Sequence, residues 1–176
     1  MRTTSVREQM VEQQVRAWDV LDKRVLDALR ELPRELFVPE GQRFRAYADA
    51  EVPLAHGQHM LRPSVAGRIL QALLPQPGEA ALEIGTGSGF LTAALRGLAG
   101  HVTSLEIFPA LAAAARANLA AQGATLNAIT SVALSRFQLL FGLAAGSMLD
   151  RRWDEVLEHL QAVEAETAKV AKVVGR

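Results

Sequence analysis

Ala80-Ala81-Leu82-Glu83-Ile84 runs directly into Gly85-Thr86-Gly87-Ser88-Gly89, and Phe90 to Leu98 follows with helical patterning. A short apolar run bounded by a turn signal is the mark of a buried strand. Closely spaced glycines after it allow a tight turn that residues with a Cβ resist. Gly97 and Gly100 punctuate the end of the helical stretch. Val102 to Leu105 then reads as a second strand, and Glu106 follows it. Pro109 suits the first position of a helix, where its missing N–H costs nothing. That helix is predicted to run through alanines to Gln122, with Gly123 as its C-terminal stop. Strand, glycine turn, helix, strand, acid, helix is a βαβα unit, so the fold class is α/β and Rossmann-like.

The glycine turn has a chemical use. It lets a ligand approach the backbone closely, and the helix behind it offers free N–H groups and partial positive charge. A dinucleotide fingerprint would be G-x-G-x-x-G, but the third glycine here is Gly89, one position early. A nucleotide phosphate loop would end in Gly-Lys-Ser/Thr, which is absent. The spacing from Glu83 to Gly89, E-x-G-x-G-x-G, is typical of S-adenosylmethionine sites. An acid about 20 residues downstream usually holds ribose hydroxyls, and Glu106 is so placed. The candidate cofactor residues are therefore Glu83, Gly85, Thr86, Gly87, Ser88, Gly89 and Glu106. The alternative, a plain glycine turn, does not account for the strand, helix and acid arrayed around it.

Working outward to the N-terminus, Ser5 to Trp18 reads as helix, and Asp22 as the N-cap of a helix over Lys23 to Leu32. Val25, Leu26, Leu29 and Leu32 form its apolar face, and Pro33 ends it. Leu36 to Pro39 reads as a short extended piece, and Gly41 to Met60 as loop and short turns. Pro63 opens a helix over Ser64 to Leu74, with Val65, Ile69, Leu70 and Leu73 as the expected apolar set.

Toward the C-terminus the character changes. Ala124 to Leu149 is rich in alanine and leucine, and Arg151 to Val174 has the spacing of an amphipathic helix with Trp153, Val156, Leu157, Leu160 and Val163 on one face. The expected division is a cofactor-binding domain over 1–123 and a helical region over 124–176. One βαβ unit takes about 30 or more residues. The stretch after Gly123 is therefore too short for a full set of further strands, and the Rossmann-like fold is expected to be incomplete. Its exposed sheet surfaces would be covered by the C-terminal helices, in the same chain or in a homo-oligomer.

Composition sets the outer bounds. Among 176 residues the formal net charge is zero, so no basic footprint for nucleic acid is present. There is no cysteine, which excludes disulfides and thiolate metal sites. Phe137 to Leu149 is apolar but too short for a bilayer span. No secretory pattern opens the chain, and a cytoplasmic location is expected. His56 and His59 lack a carboxylate partner at ligand spacing, so no metal is expected. Trp18 and Trp153 are expected in the core or an interface.

Leu82 to Thr92 resembles the cofactor motif of the protein-L-isoaspartate O-methyltransferase family. Supporting stretches are Val25 to Leu29 with Pro33 to Pro39, Ala46 to Asp49, and Pro53-Leu54 with Gly57-Gln58, in the order and spacing of the family. The resemblance covers roughly Met10 to Gly123. It implies S-adenosylmethionine as cofactor and methyl transfer to a carboxylate of a protein or peptide, as a repair reaction. It also implies that the segment after Gly57-Gln58 forms a substrate wall. There the family carries Thr-Ile-Ser-Gln-Pro, where this chain has His59-Met60-Leu61-Arg62-Pro63. Leu61 thus replaces the substrate-site serine, and weak isoaspartyl repair is expected. Arg62 is either a guide for a substrate carboxylate or a solvated arginine. The catalytic residues themselves are not identified. A scaffold that binds cofactor without catalysis, associating through the C-terminal helices, is the alternative function.

Overall fold

The computed structural model describes residues 3–123 and 129–131, all inside one compact unit, Met1–Val132. The expected helix over Arg151 to Val174, Trp153 and the segment Val132 to Leu149 lie outside the described residues.

The deciding stretch folds as expected. Strand β3 (Ala80–Ile84) leads through the glycine turn into α4 (Phe90–Leu98), and β4 (His101–Glu106) leads into α5 (Pro109–Ala121). β3 and β4 are parallel, with Ala81 opposite Val102 and Glu83 opposite Ser104. Strand alternation puts Ala81 and Glu83 on the same buried face as Val102, Ser104 and Glu106. Leu82 points to the other face and is 43% exposed. α4 runs through Gly97, so Gly100 is the stop that matters. A Cβ on Gly100 would sit 2.5 Å from the Pro77 carbonyl oxygen. Gly123 follows α5 at φ +68°, a left-handed stop.

A third strand, β5 (Ile129–Ser131), pairs in parallel with β4, giving the order β3-β4-β5. It falls inside the segment read as helical. Three residues are too few for periodicity to register, and the pairing with β4 decides their conformation.

The N-terminal elements pack beside this sheet layer. Helix α1 (Thr3–Met10) continues as a π-helical turn at Val11–Val15 and a 3₁₀ turn at Arg16–Trp18, closed by Asp19 at φ 59°. Trp18 is 51% exposed and is not a core residue. Helix α2 (Lys23–Glu31) is capped by Asp22, whose carboxylate accepts the N–H groups of Arg24 and Val25, and it buries Val25, Leu26 and Leu29. Leu36 to Pro39 is not extended. Arg34–Leu36 is a 3₁₀ turn, and Phe37 at φ −94°, ψ −8° continues the bend. Residues 40–60 are turns, as expected, but contain a ladder in which β1 (Val52–Pro53) pairs antiparallel with β2 (His59–Met60).

Helix α3 (Pro63–Leu73) begins as read, but its buried face is Pro63, Ser64, Ala66, Gly67 and Leu70. Val65 and Ile69 are only half-buried and Leu73 is 55% exposed. The cause is close approach at Gly67, where a Cβ would sit 2.6 Å from Val15 Cγ1 and 3.2 Å from Val20 Cγ2. Ala66 and Gly67 face the neighbouring turn; of the expected apolar set Leu70 is buried as read, while Val65, Ile69 and Leu73 are rotated outward.

Candidate cofactor site

The glycine turn lies at the C-terminal end of the parallel strands, where open α/β sheets bind ligands. Gly85, Gly87 and Gly89 have φ of +93°, +55° and +85°. Only glycine takes such angles without strain, so the sequence spells out the turn directly. The turn is pinned from beneath. Gly85 N–H donates to the Leu105 carbonyl at 2.8 Å, and Gly89 N–H closes back on the Thr86 carbonyl at 2.9 Å. Asn118 Nδ2 on α5 donates to the Ser88 carbonyl at 3.0 Å. α4 begins at Gly89 with no side-chain cap, so its first N–H groups are not spoken for by a capping side chain.

Glu106 closes the other side. It is 4% exposed, and its Oε2 accepts the Gly87 N–H at 2.8 Å while Oε1 accepts the Phe108 N–H at 3.0 Å. Each oxygen retains a second lone pair. Acid and glycine turn, joined by sequence reasoning across a strand, are in direct contact.

Glu83 and Thr86 point inward, beneath the turn. Glu83 Oε2 accepts hydrogen bonds from the hydroxyls of Thr92 on α4 and Ser104 on β4, the latter at 2.6 Å. Ser104 Oγ also lies 2.6 Å from Thr86 Oγ1. Because Ser104 gives its proton to Glu83, Thr86 donates to Ser104. Glu83 Oε1 is buried with no hydrogen-bond partner. Burial pushes this carboxyl up to about 7, offset by the Ser104 and Thr92 hydrogen bonds, with the charge of Glu106 adding to the rise. Sequence reasoning missed Ser104 and Thr92. A signal for Ser104 existed, since alternation in β4 places it on the inward face between Val102 and Glu106.

The β1–β2 hairpin sits over the site. A Cβ on Gly87 would meet Leu54 Cδ1 at 3.4 Å. His56, at φ 58°, stacks on Phe108 with ring centroids 4.4 Å apart and planes 3° from parallel. His59 is an exposed strand residue, and among the described residues no group of three or more His, Cys, Asp or Glu is placed to hold a metal. Surface hollows at Arg96 to Val102 and at Leu73 to Leu82 lie toward the opposite end of the strands from the glycine turn.

Behind the hairpin, Arg34 is fully buried. Its Nε donates to the Ala46 carbonyl at 2.9 Å, its Nη2 donates to the Leu61 carbonyl, and its guanidinium lies 4.6 Å from the Phe90 ring centroid. Burial lowers its pKa to about 10, opposed by Asp49 and Tyr47, so it stays a cation at neutral pH. Asp49 accepts the N–H and hydroxyl of Ser64, capping α3 from outside. These bonds fix the backbone on both sides of Leu61 and Arg62. Leu61 is 37% exposed and Arg62 is half-buried.

A parallel sheet, a glycine turn between strand and helix, and an acid at the end of the next strand define a Rossmann-like methyltransferase fold. Comparison with known proteins agrees with this class. Residues 5–141 match the family protein-L-isoaspartate(D-aspartate) O-methyltransferase, and the chain belongs to that family. It is 49% identical over 114 residues to a protein-L-isoaspartate O-methyltransferase of Rhodopseudomonas palustris, covering 65% of this chain and 52% of the relative. A namesake from Aeropyrum pernix is 47% identical over 117 residues, covering 65% and 45%. The chain spans about half the length of the curated relatives it matches. In fold it is similar to a candidate protein-L-isoaspartate O-methyltransferase of Plasmodium falciparum, crystallised with S-adenosyl-L-homocysteine. That match has a TM-score of 0.55 at 22% identity and covers 64% of this chain and 54% of the other. A second solved protein-L-isoaspartate O-methyltransferase matches with a TM-score of 0.60 at 20% identity, over 71% and 41%.

Proposed function

We propose that this chain binds S-adenosylmethionine at the Gly85–Gly89 turn and serves methyl transfer to a carboxylate of a protein or peptide. The observation that carries the reading is the cradle itself. Three left-handed glycines leave room at the end of β3, and Glu106 reaches across from β4 to touch the turn. Gly85, Gly87, Ser88 and Gly89 offer backbone to the ligand, and Glu106 has lone pairs left for ribose hydroxyls. Glu83 and Thr86 support the turn from beneath, through Ser104 and Thr92.

The cofactor supplies an electrophilic methyl group on a sulfonium. The chain's own work is to hold two partners in line and keep water out, which accounts for most of the acceleration in such a displacement. No general base is required, because a carboxylate is already nucleophilic at neutral pH. Family resemblance places the substrate against Leu61 and Arg62. Leu61 offers no hydroxyl there, and Arg62 offers a cation suited to a carboxylate.

The test is calorimetry with S-adenosylmethionine, followed by transfer of labelled methyl to an isoaspartyl peptide and its aspartyl isomer. Saturable binding that Gly87→Val abolishes supports the site. Labelled, base-labile ester on the isoaspartyl peptide supports the reaction. Absence of any cofactor binding in the folded protein overturns the proposal.

A further inference from the structure

Glu83 is a buried acid in a position to sense the charge of whatever occupies the turn above it. It lies in β3, directly ahead of the glycines, and is 7% exposed. Thr92 reaches it from α4 and Ser104 from β4, and Ser104 connects it to Thr86 in the turn itself. Carboxylate, serine and threonine thus form one hydroxyl chain from the strand interior into the loop. Glu83 Oε1 has no partner at all. A buried carboxylate bonded on one oxygen only is poorly compensated as an anion and is readily held as an acid.

The surrounding charges support this. From β4 the charged neighbour is Glu106, and from α4 the Thr92 hydroxyl meets the carboxyl. Arg96, a turn beyond Thr92, is half-buried, and His101 lies at the far, exposed end of β4. The carboxyl is raised to about 7, so it titrates near neutrality.

We propose that Glu83 is a proton-linked positioning residue, giving up its proton when a cationic cofactor settles on the Gly85–Gly89 turn. The inference rests on the proposed cofactor site. Below about pH 7, Glu83 of the free protein is mostly the neutral acid. A sulfonium and an ammonium brought into the same low-dielectric region favour the anion. The carboxyl O–H bond breaks, its electron pair stays on Glu83, and the proton passes to buffer. The carboxylate then accepts stronger hydrogen bonds from Thr92 and Ser104, which tightens the turn around the ligand. By reciprocity, affinity for the cation rises with pH as Glu83 ionises.

The experiment is calorimetric titration of the full chain with S-adenosylmethionine at pH 6.5, in buffers of differing ionisation enthalpy, which counts protons released. Release of a substantial fraction of one proton is expected from the parent, and almost none from Glu83→Gln. S-adenosylhomocysteine, which lacks the sulfonium charge, should release fewer. The parent's Kd should also tighten by on the order of tenfold from pH 6 to pH 8, one pKa unit of linkage. The ligand's amino group titrates alike in parent and variant, so their difference reports Glu83. If Glu83→Gln does not fold, Ser104→Ala replaces it. Losing a donor to the anion should place that variant's midpoint at higher pH than the parent's. Normal binding without proton release, or equal release in Glu83→Gln, overturns the inference while leaving the cofactor site intact. No binding in any form removes the site itself.

Discussion

Gly87 shows how much a single residue can carry. Its φ of +55° would strain any Cβ, and Leu54 Cδ1 lies in contact, 3.4 Å from where one would be. Gly87→Val should therefore lose S-adenosylmethionine binding by more than about tenfold with the fold retained, read by calorimetry and circular dichroism. Unchanged affinity would dismiss the cradle. Glu83 gives a second test at this scale. Its folded-state carboxyl is raised to about 7 from 4.5, so between those values the native protein holds a proton the unfolded chain has released. Stability from this group is present below about 4.5 and is lost as pH rises through 7. The melting temperature of the parent should fall relative to Glu83→Gln by roughly 2–6 °C from pH 5 to pH 8. A difference that stays constant across that range would contradict the burial argument. The glycines and Glu106 were legible because backbone strain and strand spacing are written locally. Thr92 was not, because a hydroxyl under a turn looks like any other until the helix is docked, and Ser104 was readable only as an inward residue of β4, not as a partner of Glu83.

At the scale of elements, the cap and the buried face of α2 read true, while the face of α3 read true only in part. Asp22 caps α2 as its identity suggests, and Asp22→Ala should cost about 1 kcal/mol in urea unfolding, since the N–H groups of Arg24 and Val25 lose their acceptor. A cost near zero would mean water replaces the cap without penalty. For α3, spacing favoured Val65, Ile69, Leu70 and Leu73; Leu70 is buried as read, but the rest of the buried face is Pro63, Ser64, Ala66 and Gly67. Periodicity finds a helix's greasiest stripe, whereas a close helix crossing selects its thinnest one. Gly67→Ala tests this. Ala is the better helix former, yet its methyl would press on Val15 and Val20, so the variant should lose roughly 1–3 kcal/mol. A gain in stability would show that the crossing has slack. The cap of α3 was hidden for another reason. Asp49 accepts Ser64 N–H from 15 residues away in sequence, beyond any local motif.

Across the whole unit, the long-range ties are where reading one stretch at a time runs out. The βαβα order, the parallel pairing and the glycine turn were all legible, since each follows from neighbouring residues. One tie of the N-terminal segment was not, a buried cation that sequence reasoning passed over and that supplements the shared apolar core. Arg34 sits in a motif that marked family resemblance, Pro33 to Pro39, yet nothing local says that it turns inward. Once inward, it satisfies the carbonyls of Ala46 and Leu61 and lies against Phe90, the first residue of α4. It thus links three regions far apart in the chain: the turns after α2, the wall at Leu61, and the helix that carries the glycine turn. Arg34→Met keeps most of the volume and removes the donors and the charge. The buried Ala46 carbonyl, the partly buried Leu61 carbonyl and the Asp49 carboxylate would lose their compensation, at a cost of about 2–4 kcal/mol by urea unfolding. Because Arg34 fixes the backbone on which Leu61 and Arg62 stand, a folded Arg34→Met protein should also lose methyl transfer more than cofactor affinity. The two readouts separate the roles, since simple destabilisation would lower both in proportion to the unfolded fraction. Unaltered stability in Arg34→Met would show that water satisfies those carbonyls, and the tie would then be no tie at all.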